Sequence, residues 1–299
     1  MKIKFGDEVK QAMRQGLPIV ALESTIISHG LPYPQNLEAA INVENIIRTS
    51  GGIPATIAVF NGDFCVGLTD SQIEDLATRS DIKKISTRDL PIAAARKETC
   101  ATTVATTSFI ARRAGIKVFS TGGIGGVHRG GLLDISADLP MLAKTPIVVV
   151  CSGAKIILDL PATREWLETY GVSVLGFRCD EMPAFYSRKS GLPVDQRVDS
   201  IEEIVEVVRF RDELKLRSAV LVTVPVPEED EVDPGKVNEI LDSSLKTAAE
   251  NKITGKDLTP FLLSEMSKLS GGKTLDANIA LFENNARKAT QIAVSLNRS

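Results

Sequence analysis

Short apolar runs alternate with amphipathic segments along the first three quarters of the chain. The apolar runs have the length of β-strands, and they cover residues 18–22, 54–60, 64–68, 117–120, 147–151, 172–177 and 219–224. Segments with helical periodicity lie between most of them, at 35–48, 102–114, 156–170 and 201–214. This alternation is typical of a mostly parallel sheet with helices on both faces, so we expect a three-layer α/β/α fold.

Two further features refine this expectation. Asn61-Gly62 lies between two strand-like runs and predicts a type I′ hairpin, so the sheet should be mixed. After Pro225 an acidic connector leads into helical segments only, at 235–250, 260–269 and 274–296. Because no flexible linker precedes this helical C-terminal region, we expect residues 1–299 to form one α/β domain.

Composition and charge narrow the class of protein. The 299 residues include 35 basic and 38 acidic side chains, and this balance argues against a nucleic-acid-binding surface. The four cysteines form no C-x-x-C pair, and residues 1–16 contain no apolar signal-peptide core. No apolar stretch reaches the ~20 residues that span a bilayer. We therefore expect a cytoplasmic protein that binds neither nucleic acid nor membrane.

Glu23 directly follows the strand-like run 18–22 and is the only carboxylate between Gln15 and Ser28. A lone carboxyl group beside an apolar strand end has a raised pKa, as a general acid requires. The residues alone fit a general acid, and they fit a solvated loop glutamate or a helix cap equally well.

A second motif, FSTGGIGGVHRGG at 119–131, contains six glycines. Glycines let backbone N–H groups approach an anion closely, and His128 and Arg129 add further donors. We interpret the segment as a phosphate-binding or ligand-binding loop, with His128 as a candidate substrate ligand. The alternative is a merely tight loop.

The next motif, DISADL at 134–139, contains two carboxylates four residues apart. On a helix, Asp134 and Asp138 would share one face. Such a pair suits a divalent ion that prefers oxygen ligands and keeps several waters, such as Mn²⁺ or Mg²⁺. Acidic residues are also common at helix N-termini for purely structural reasons.

Lys155 follows the strand-like run 147–151 and a Ser-Gly turn, and the periodicity puts it in the first turn of a helix. The helix dipole and partial desolvation would favour its neutral amine there. A neutral amine can form a Schiff base with a sugar aldehyde. The alternative is an exposed helix lysine.

The segment ATTVATT at 101–107 supplies several hydroxyl groups at a helix N-terminus, where anions bind favourably. Thr103 is the candidate ligand within it, and Lys84 is placed to complete the same site. Helix capping and a surface charge are the structural alternatives for these two residues.

Nine motifs, in this order, closely resemble those of the pseudouridine-5′-phosphate glycosidase family: ALESTIISHGLPYPQN, PATIAV, ATTVA, TGGIGGVHRG, DISADL, GAK-x-ILDL, PAFYSRKSG, TPFLL and L-x-x-NIAL-x-x-NNA. The resemblance extends from about Gly16 to Leu296. It implies reversible cleavage of the C–C glycosidic bond of pseudouridine 5′-phosphate, giving uracil and ribose 5-phosphate. It also implies one Mn²⁺-type divalent ion per subunit, a homotrimer and a mixed-sheet α/β fold.

The resemblance also assigns roles residue by residue. Glu23 matches the proton donor of the family, Lys155 its covalent nucleophile and Asp134 its metal ligand. Asn278 matches an asparagine placed to meet the pyrimidine. The remaining matched positions are substrate-binding ones, namely Lys84, Val104, Ser136, Ala137 and Asp138. One departure is the loop from Gly130 to Asp134, which is two residues shorter than in many members of the family.

The implied chemistry agrees with the residues. A C–C glycoside has no leaving heteroatom to protonate, so hydrolysis by two carboxylates is a poor route, whereas an imine on Lys155 provides an electron sink. Two alternatives remain open from the sequence. One is an N-glycoside hydrolase acting on a pyrimidine nucleotide, which needs no lysine nucleophile. The other is a sugar-phosphate-binding regulator without turnover.

Overall fold

The computed structural model describes residues 2–130, 134–253, 255 and 258–298. Its strands are β1 (Ile3–Phe5), β2 (Ile19–Leu22), β3 (Ile53–Phe60), β4 (Asp63–Val66), β5 (Lys83–Ile85), β6 (Cys100–Thr102), β7 (Val118–Ser120), β8 (Val127–His128), β9 (Val148–Cys151), β10 (Leu158–Asp159), β11 (Ser173–Phe177), β12 (Gln196–Val198) and β13 (Val220–Thr223).

The helices alternate with these strands over most of the chain and follow one another without strands at its C-terminal end. They are α1 (Asp7–Gln15), α2 (Gln35–Thr49), α3 (Asp70–Thr78), α4 (Leu90–Ala95), α5 (Val104–Arg113), α6 (Asp138–Leu142), α7 (Leu160–Thr169), α8 (Ile201–Glu213), α9 (Pro234–Glu250), α10 (Leu258–Leu269) and α11 (Lys273–Arg298).

The main sheet is mixed and mostly parallel, as the strand–helix alternation predicts. Its strand order is β1-β4-β3-β2-β7-β9-β13-β11-β12, with β6 and then β5 attached beside β3. From β3 through β2 to β12 every neighbouring pair is parallel. The two antiparallel contacts in this sheet join β3 to β4 and β3 to β6. The mixed α/β fold expected from the sequence is therefore confirmed.

The reversal between β3 and β4 occurs at the predicted hairpin. Asn61 and Gly62 both have positive φ, at 51° and 81°, as a type I′ turn requires. Gly62 also lies so close to the helix α4 region that an added Cβ would be 2.7 Å from the carbonyl oxygen of Ala94. The turn therefore fixes the antiparallel register of this pair through its two central residues.

Helices cover both faces of the sheet, and α11 lies across its centre. This helix packs on β2, β7 and β9 and is flanked by α2 and α8. Side chains from α9, α10 and α11, among them Leu241, Met266 and Leu281, belong to the same apolar core as the strands. Among the described helices, none is both long and apolar enough to cross a membrane. The number of domains, expected to be one for 1–299, stays a prediction.

Two predicted helices begin later than their periodicity indicates. The helix expected at 102–114 begins at Val104, because residues 100–102 form β6. The periodicity of 156–170 predicts a helix throughout, but α7 begins at Leu160. Leu158 and Asp159 instead pair antiparallel with β8. Asp159 then caps α7, because its side chain accepts a hydrogen bond from the N–H of Ala162 at 3.0 Å. The expectation that Lys155 occupies the first turn of a helix is therefore wrong.

Candidate active site

Three neighbouring strands end at one edge of the sheet, where ligand sites of open α/β folds are found. β2, β7 and β9 are adjacent and parallel. Glu23 follows β2, Thr121 follows β7, and Lys155 follows β9 after a short turn. The sheet thus brings together side chains that are up to 132 residues apart in the sequence.

Two adjoining cavities lie at this edge. The larger has a volume of about 320 Å³ and the smaller about 50 Å³. Glu23, Thr25, Lys84, Lys155 and Thr259 line both. The larger cavity is also lined by most of the remaining residues that the sequence singled out, namely Thr103, Val104, His128, Asp134, Ser136, Ala137 and Asp138. Asn278 lines the smaller cavity, so the structure gathers all the candidate site residues in one place.

The Glu23 carboxyl group is buried, with 6% of the residue exposed. Burial raises the pKa of this carboxyl above its usual range, because water no longer solvates the charged form. The positive charges of Lys155 and Lys84 and a hydrogen bond from Thr121 partly oppose this rise, and the charge of Asp138 adds to it. Glu23 is therefore a protonatable group in electrostatic contact with both cavity lysines, as the sequence predicts for a general acid.

Lys155 lies in an extended segment that continues the pairing of β7 with β9. Its N–H donates to the carbonyl oxygen of Ile124 at 3.1 Å, and the N–H of Ile124 donates to the carbonyl oxygen of Gly153 at 3.0 Å. Gly153 has a φ of +81°, and an added Cβ would lie 2.0 Å from the carbonyl oxygen of Pro183. The backbone of Lys155 is thus held by the sheet and by a glycine turn, whereas the helix N-terminus inferred from the sequence is absent at this residue.

Cys151 lies only four residues before Lys155, at the end of β9. Burial raises the pKa of its thiol to about 12, so the thiol stays protonated. Its complete burial at the end of an apolar strand makes Cys151 a packing residue. A cysteine nucleophile at this strand end is therefore disfavoured relative to Lys155.

Asp138 and Asp134 do not share a helix face, contrary to the expectation from their spacing. Asp134 precedes α6, which begins at Asp138. Asp138 is buried, and its two carboxylate oxygens accept hydrogen bonds from the N–H groups of Ala105 and Gly125, each at 2.8 Å. Asp138 therefore ties the N-terminal turn of α5 to the glycine segment and shapes the cavity wall.

The glycines of the segment 119–130 pack against protein atoms more than they expose N–H groups to the cavity. An added Cβ would lie 2.6 Å from the Phe185 ring at Gly123, 2.3 Å from Oγ of Ser136 at Gly125 and 2.3 Å from Oγ1 of Thr163 at Gly126. Close packing is therefore the main physical reason for these glycines, and within the described residues only Gly125 of this segment lines the larger cavity.

The two basic residues of this segment have different surroundings. His128 belongs to β8 and lines the larger cavity, as expected for a substrate ligand. Arg129 instead donates to the carbonyl oxygens of Leu158 and Ile156, both at 3.2 Å. Arg129 therefore supports the chain just after Lys155 rather than reaching the ligand space.

Asp134 is the exposed carboxylate of the larger cavity. In the part of the chain that the structure describes, no three His, Cys, Asp or Glu side chains are grouped around a point that a cation could occupy. Both carboxylate oxygens of Asp138 accept hydrogen bonds from backbone amides, so of the two aspartates Asp134 is left as the carboxylate that faces the cavity. One carboxylate together with waters fits a hard divalent ion. Residues 131–133, which carry the shortened loop, lie outside the described residues.

The smaller cavity combines apolar walls with one amide. Ile26, Phe185 and Leu263 line it together with Asn278. Asn278 is 4% exposed, and its Oδ1 atom is buried without a hydrogen-bond partner among the described residues. A buried amide oxygen that lacks a donor is costly unless a ligand supplies one. This cavity therefore suits a flat, partly apolar group that carries an N–H donor.

Several residues of the site carry no signal of their own in the sequence. Arg88 lies at the wall of the larger cavity with an exposed side chain, and Thr25 and Thr259 line both cavities. Thr121 contacts Glu23 directly. Thr25 and Thr121 lie within two of the family motifs. The local sequence does not show which hydroxyl group of a motif contacts the Glu23 carboxyl group.

The chain is similar to a named family and to several named proteins. A family model described as indigoidine synthase A like protein matches residues 8–295. A pseudouridine-5′-phosphate glycosidase of Geobacillus kaustophilus is 52% identical over 98% of this chain and 98% of that protein. A protein of the same name from Glaesserella parasuis is 51% identical over 97% of each.

Two solved structures share the fold. An indigoidine synthase A-like protein of Thermotoga maritima matches with a TM-score of 0.90 and 39% identity, over 95% of this chain and 94% of that one. The prealnumycin C-glycosynthase AlnA, solved in complex with ribulose 5-phosphate, matches with a TM-score of 0.91 and 39% identity over 99% and 97%. The chain therefore belongs to the pseudouridine-5′-phosphate glycosidase family, which is a family of enzymes.

Proposed function

We propose that this enzyme reversibly cleaves the C–C glycosidic bond of pseudouridine 5′-phosphate and gives uracil and ribose 5-phosphate. The observation that carries the proposal is the shared wall of the two cavities, where a buried acid with a raised pKa, Glu23, lies in electrostatic contact with an amine, Lys155. The homologues named for this activity and the C-glycosynthase neighbour support cleavage of a C-glycosidic bond.

The two cavities divide the substrate between them. The smaller cavity takes the uracil ring, since Asn278 has an acceptor for the uracil N3–H and an amide that can donate to a uracil carbonyl. The larger cavity takes the ribose phosphate. Lys84 and His128 line it, and the N-terminal residues Thr103 and Val104 of the α5 region add a favourable place for an anion.

The proposed reaction proceeds through a Schiff base on Lys155. The deprotonated amine attacks C1 of the ribose, the C1–O4 ring bond breaks with its electron pair on O4, and O4 takes the proton that the nitrogen loses. The nitrogen lone pair then forms the C=N bond as the C1–C5 bond to uracil breaks, and the electron pair of that bond passes to C5 of uracil. Water finally hydrolyses the imine, which releases ribose 5-phosphate and restores the amine.

Glu23 supplies the proton for the departing base in this scheme. Its burial raises the pKa, so that the carboxyl remains protonated at a higher pH than an exposed glutamate. In the synthetic direction the same carboxylate removes the proton from C5 of uracil. One group at one position thus serves both directions of a reversible reaction.

A divalent ion completes the proposed site. Asp134 would hold it, together with waters, and Mn²⁺ or Mg²⁺ suits such an oxygen donor set. When bound, the ion would supply positive charge to the oxygens of the sugar phosphate. The homotrimer implied by the family resemblance is part of the same proposal, and gel filtration with light scattering tests it.

The defining experiment offers two substrates to the same preparation. Protein and Mn²⁺ are incubated with pseudouridine 5′-phosphate or with uridine 5′-phosphate, and uracil is measured by chromatography. Release from the C-glycoside alone supports the proposal. Release from uridine 5′-phosphate alone identifies an N-glycoside hydrolase, and calorimetric binding of ribose 5-phosphate without turnover identifies a regulator.

A further inference from the structure

The motif NNA at the end of the family resemblance contains Asn285, which lines neither cavity. Asn285 lies in α11 and is completely buried. Asn278 lies seven residues earlier in the same helix, which is about two turns, so both side chains project from one face. That face lies over the carboxyl ends of β7 and β9.

The amide of Asn285 bonds to the chain segments that follow these two strands. Its Nδ2 donates to the carbonyl oxygen of Thr121 at 2.9 Å, and that residue's hydroxyl contacts Glu23. Its Nδ2 and Oδ1 also lie 3.1 and 3.3 Å from Oγ of Ser152, three residues before Lys155. One buried side chain therefore joins the segment that orients the acid to the segment that carries the amine.

Backbone hydrogen bonds also join the segments that follow β7 and β9. The Ser152 N–H donates to the Gly122 carbonyl oxygen at 2.8 Å, and the Thr121 N–H donates to the Val150 carbonyl oxygen at 3.0 Å. These bonds align the two segments along the sheet. Asn285 adds a bond from the helix layer and so fixes the distance of both segments from α11, which also carries Asn278 toward the base.

We propose that Asn285 is a positioning residue for the reaction, which sets the relative placement of the Glu23 carboxyl, the Lys155 amine and the nucleobase cavity through Thr121 and Ser152. This inference rests on the proposed function. A small displacement of reacting groups, of about 1 Å, costs about 100-fold in rate, so loss of this bond should lower kcat. Substrate binding should change little, because Asn285 does not line the cavities.

The test compares two neighbouring asparagines. Asn285→Asp keeps the size of the side chain but places an oxygen where Nδ2 donates to the Thr121 carbonyl. The control is Asn284→Asp, because the hydrogen bond that the Asn284 side chain makes within the described part of the chain goes to the Pro225 carbonyl oxygen at 3.4 Å, away from both segments. Uracil release from pseudouridine 5′-phosphate is measured well below each variant's Tm and is normalised to the folded fraction from circular dichroism.

We expect Asn285→Asp to lower kcat at least about 10-fold and to change KM by less than about 3-fold. Asn284→Asp should stay within about 2-fold of wild type in both. A folded Asn285→Asp enzyme with wild-type kcat, or one in which KM alone rises, overturns the positioning role. A wild-type chain that releases no uracil overturns the proposed function itself, and the positioning role with it.

A second variant keeps the test decisive if Asn285→Asp does not fold. Ser152→Ala leaves Asn285 bonded to Thr121 and removes only the hydroxyl on the Lys155 side. The positioning role predicts a smaller fall in kcat, of about 3- to 10-fold, again with KM nearly constant. A Ser152→Ala enzyme with unchanged kcat overturns the proposal.

Discussion

The hydroxyl of Thr121 donates a hydrogen bond to Oε1 of Glu23 at 2.5 Å. Both side chains are buried, and they come from adjacent parallel strand ends. The bond favours the charged form of Glu23, while burial favours the protonated form more strongly, so the pKa of the carboxyl is raised on balance. Thr121 thus limits, together with Lys155 and Lys84, how far the pKa of the proposed general acid rises.

Thr121→Val removes this bond at nearly constant volume. The pKa of Glu23 should rise further, because burial and Asp138 then act against Lys155 and Lys84 alone. In the proposed scheme cleavage needs protonated Glu23, so the alkaline limb of the pH profile of kcat should move to higher pH. Thr121→Ser, which keeps a hydroxyl, is the control. A limb that stays in place or moves to lower pH would contradict this assignment.

Glu23→Gln should separate activity from stability. Loss of the proposed proton donor should lower kcat by about 10² to 10⁴-fold. Since the folded-state pKa of Glu23 is raised, the native protein binds more protons than the unfolded chain, and its free energy of unfolding falls as pH rises through that pKa. Glu23→Gln removes this pH-dependent loss of stability, because glutamine does not titrate. Its Tm should exceed that of wild type at pH 8 by more than at pH 5, as scanning calorimetry can measure.

Much of the fold follows from local sequence patterns. Buried strands such as Val148–Cys151 are continuous apolar runs, and Asn61-Gly62 has the conformational preferences of its turn. The setting of Lys155 could not be predicted in this way. The segment just after Lys155 forms β10, in which Asp159 pairs with Val127 of β8. This pairing joins residues that are distant in the sequence, so it leaves no local periodicity.

The sequence likewise predicts which residues form the site, but it does not predict the hydrogen bonds that hold them in place. The carboxyl-end rule brings Glu23 and Lys155 together as soon as the strands are known. The bonding of Asp138 to Ala105 and Gly125 depends on how α6 packs against α5, and the reach of Asn285 depends on the position of α11 over two strands. Tertiary packing decides these contacts.

Asp138→Asn should weaken the fold as well as the site. The carboxylate accepts hydrogen bonds from two backbone N–H groups, and the new amide would point its own N–H at one of them. We expect the free energy of unfolding to fall by about 1–3 kcal/mol as a result. Asp134→Asn is the matched control, since exposed substitutions usually change stability by less than about 0.5 kcal/mol. Denaturant titration distinguishes them, and equal stabilities would refute the structural role of Asp138.

Asp134→Asn should change the Mn²⁺ concentration that activity requires, rather than the stability of the fold. An ion held by one carboxylate and waters binds with modest affinity, so a chelator should abolish uracil release and added Mn²⁺ should restore it. The variant should need at least about 10-fold more Mn²⁺ for half-maximal activity. Full activity of the chelated, metal-free wild type would refute the metal proposal.

Borohydride trapping at Lys155 tests the central claim most directly. Reductant added during turnover of pseudouridine 5′-phosphate should reduce the imine, and mass spectrometry should find a ribose phosphate adduct on the peptide that contains Lys155. Lys117 lines a separate cavity with Leu17 and Pro18, so Lys117→Ala should still form the adduct. Lys155→Ala should abolish adduct and cleavage, and Lys155→Arg should restore neither because arginine stays charged. An adduct on another lysine, or near wild-type cleavage by Lys155→Ala, would contradict the mechanism.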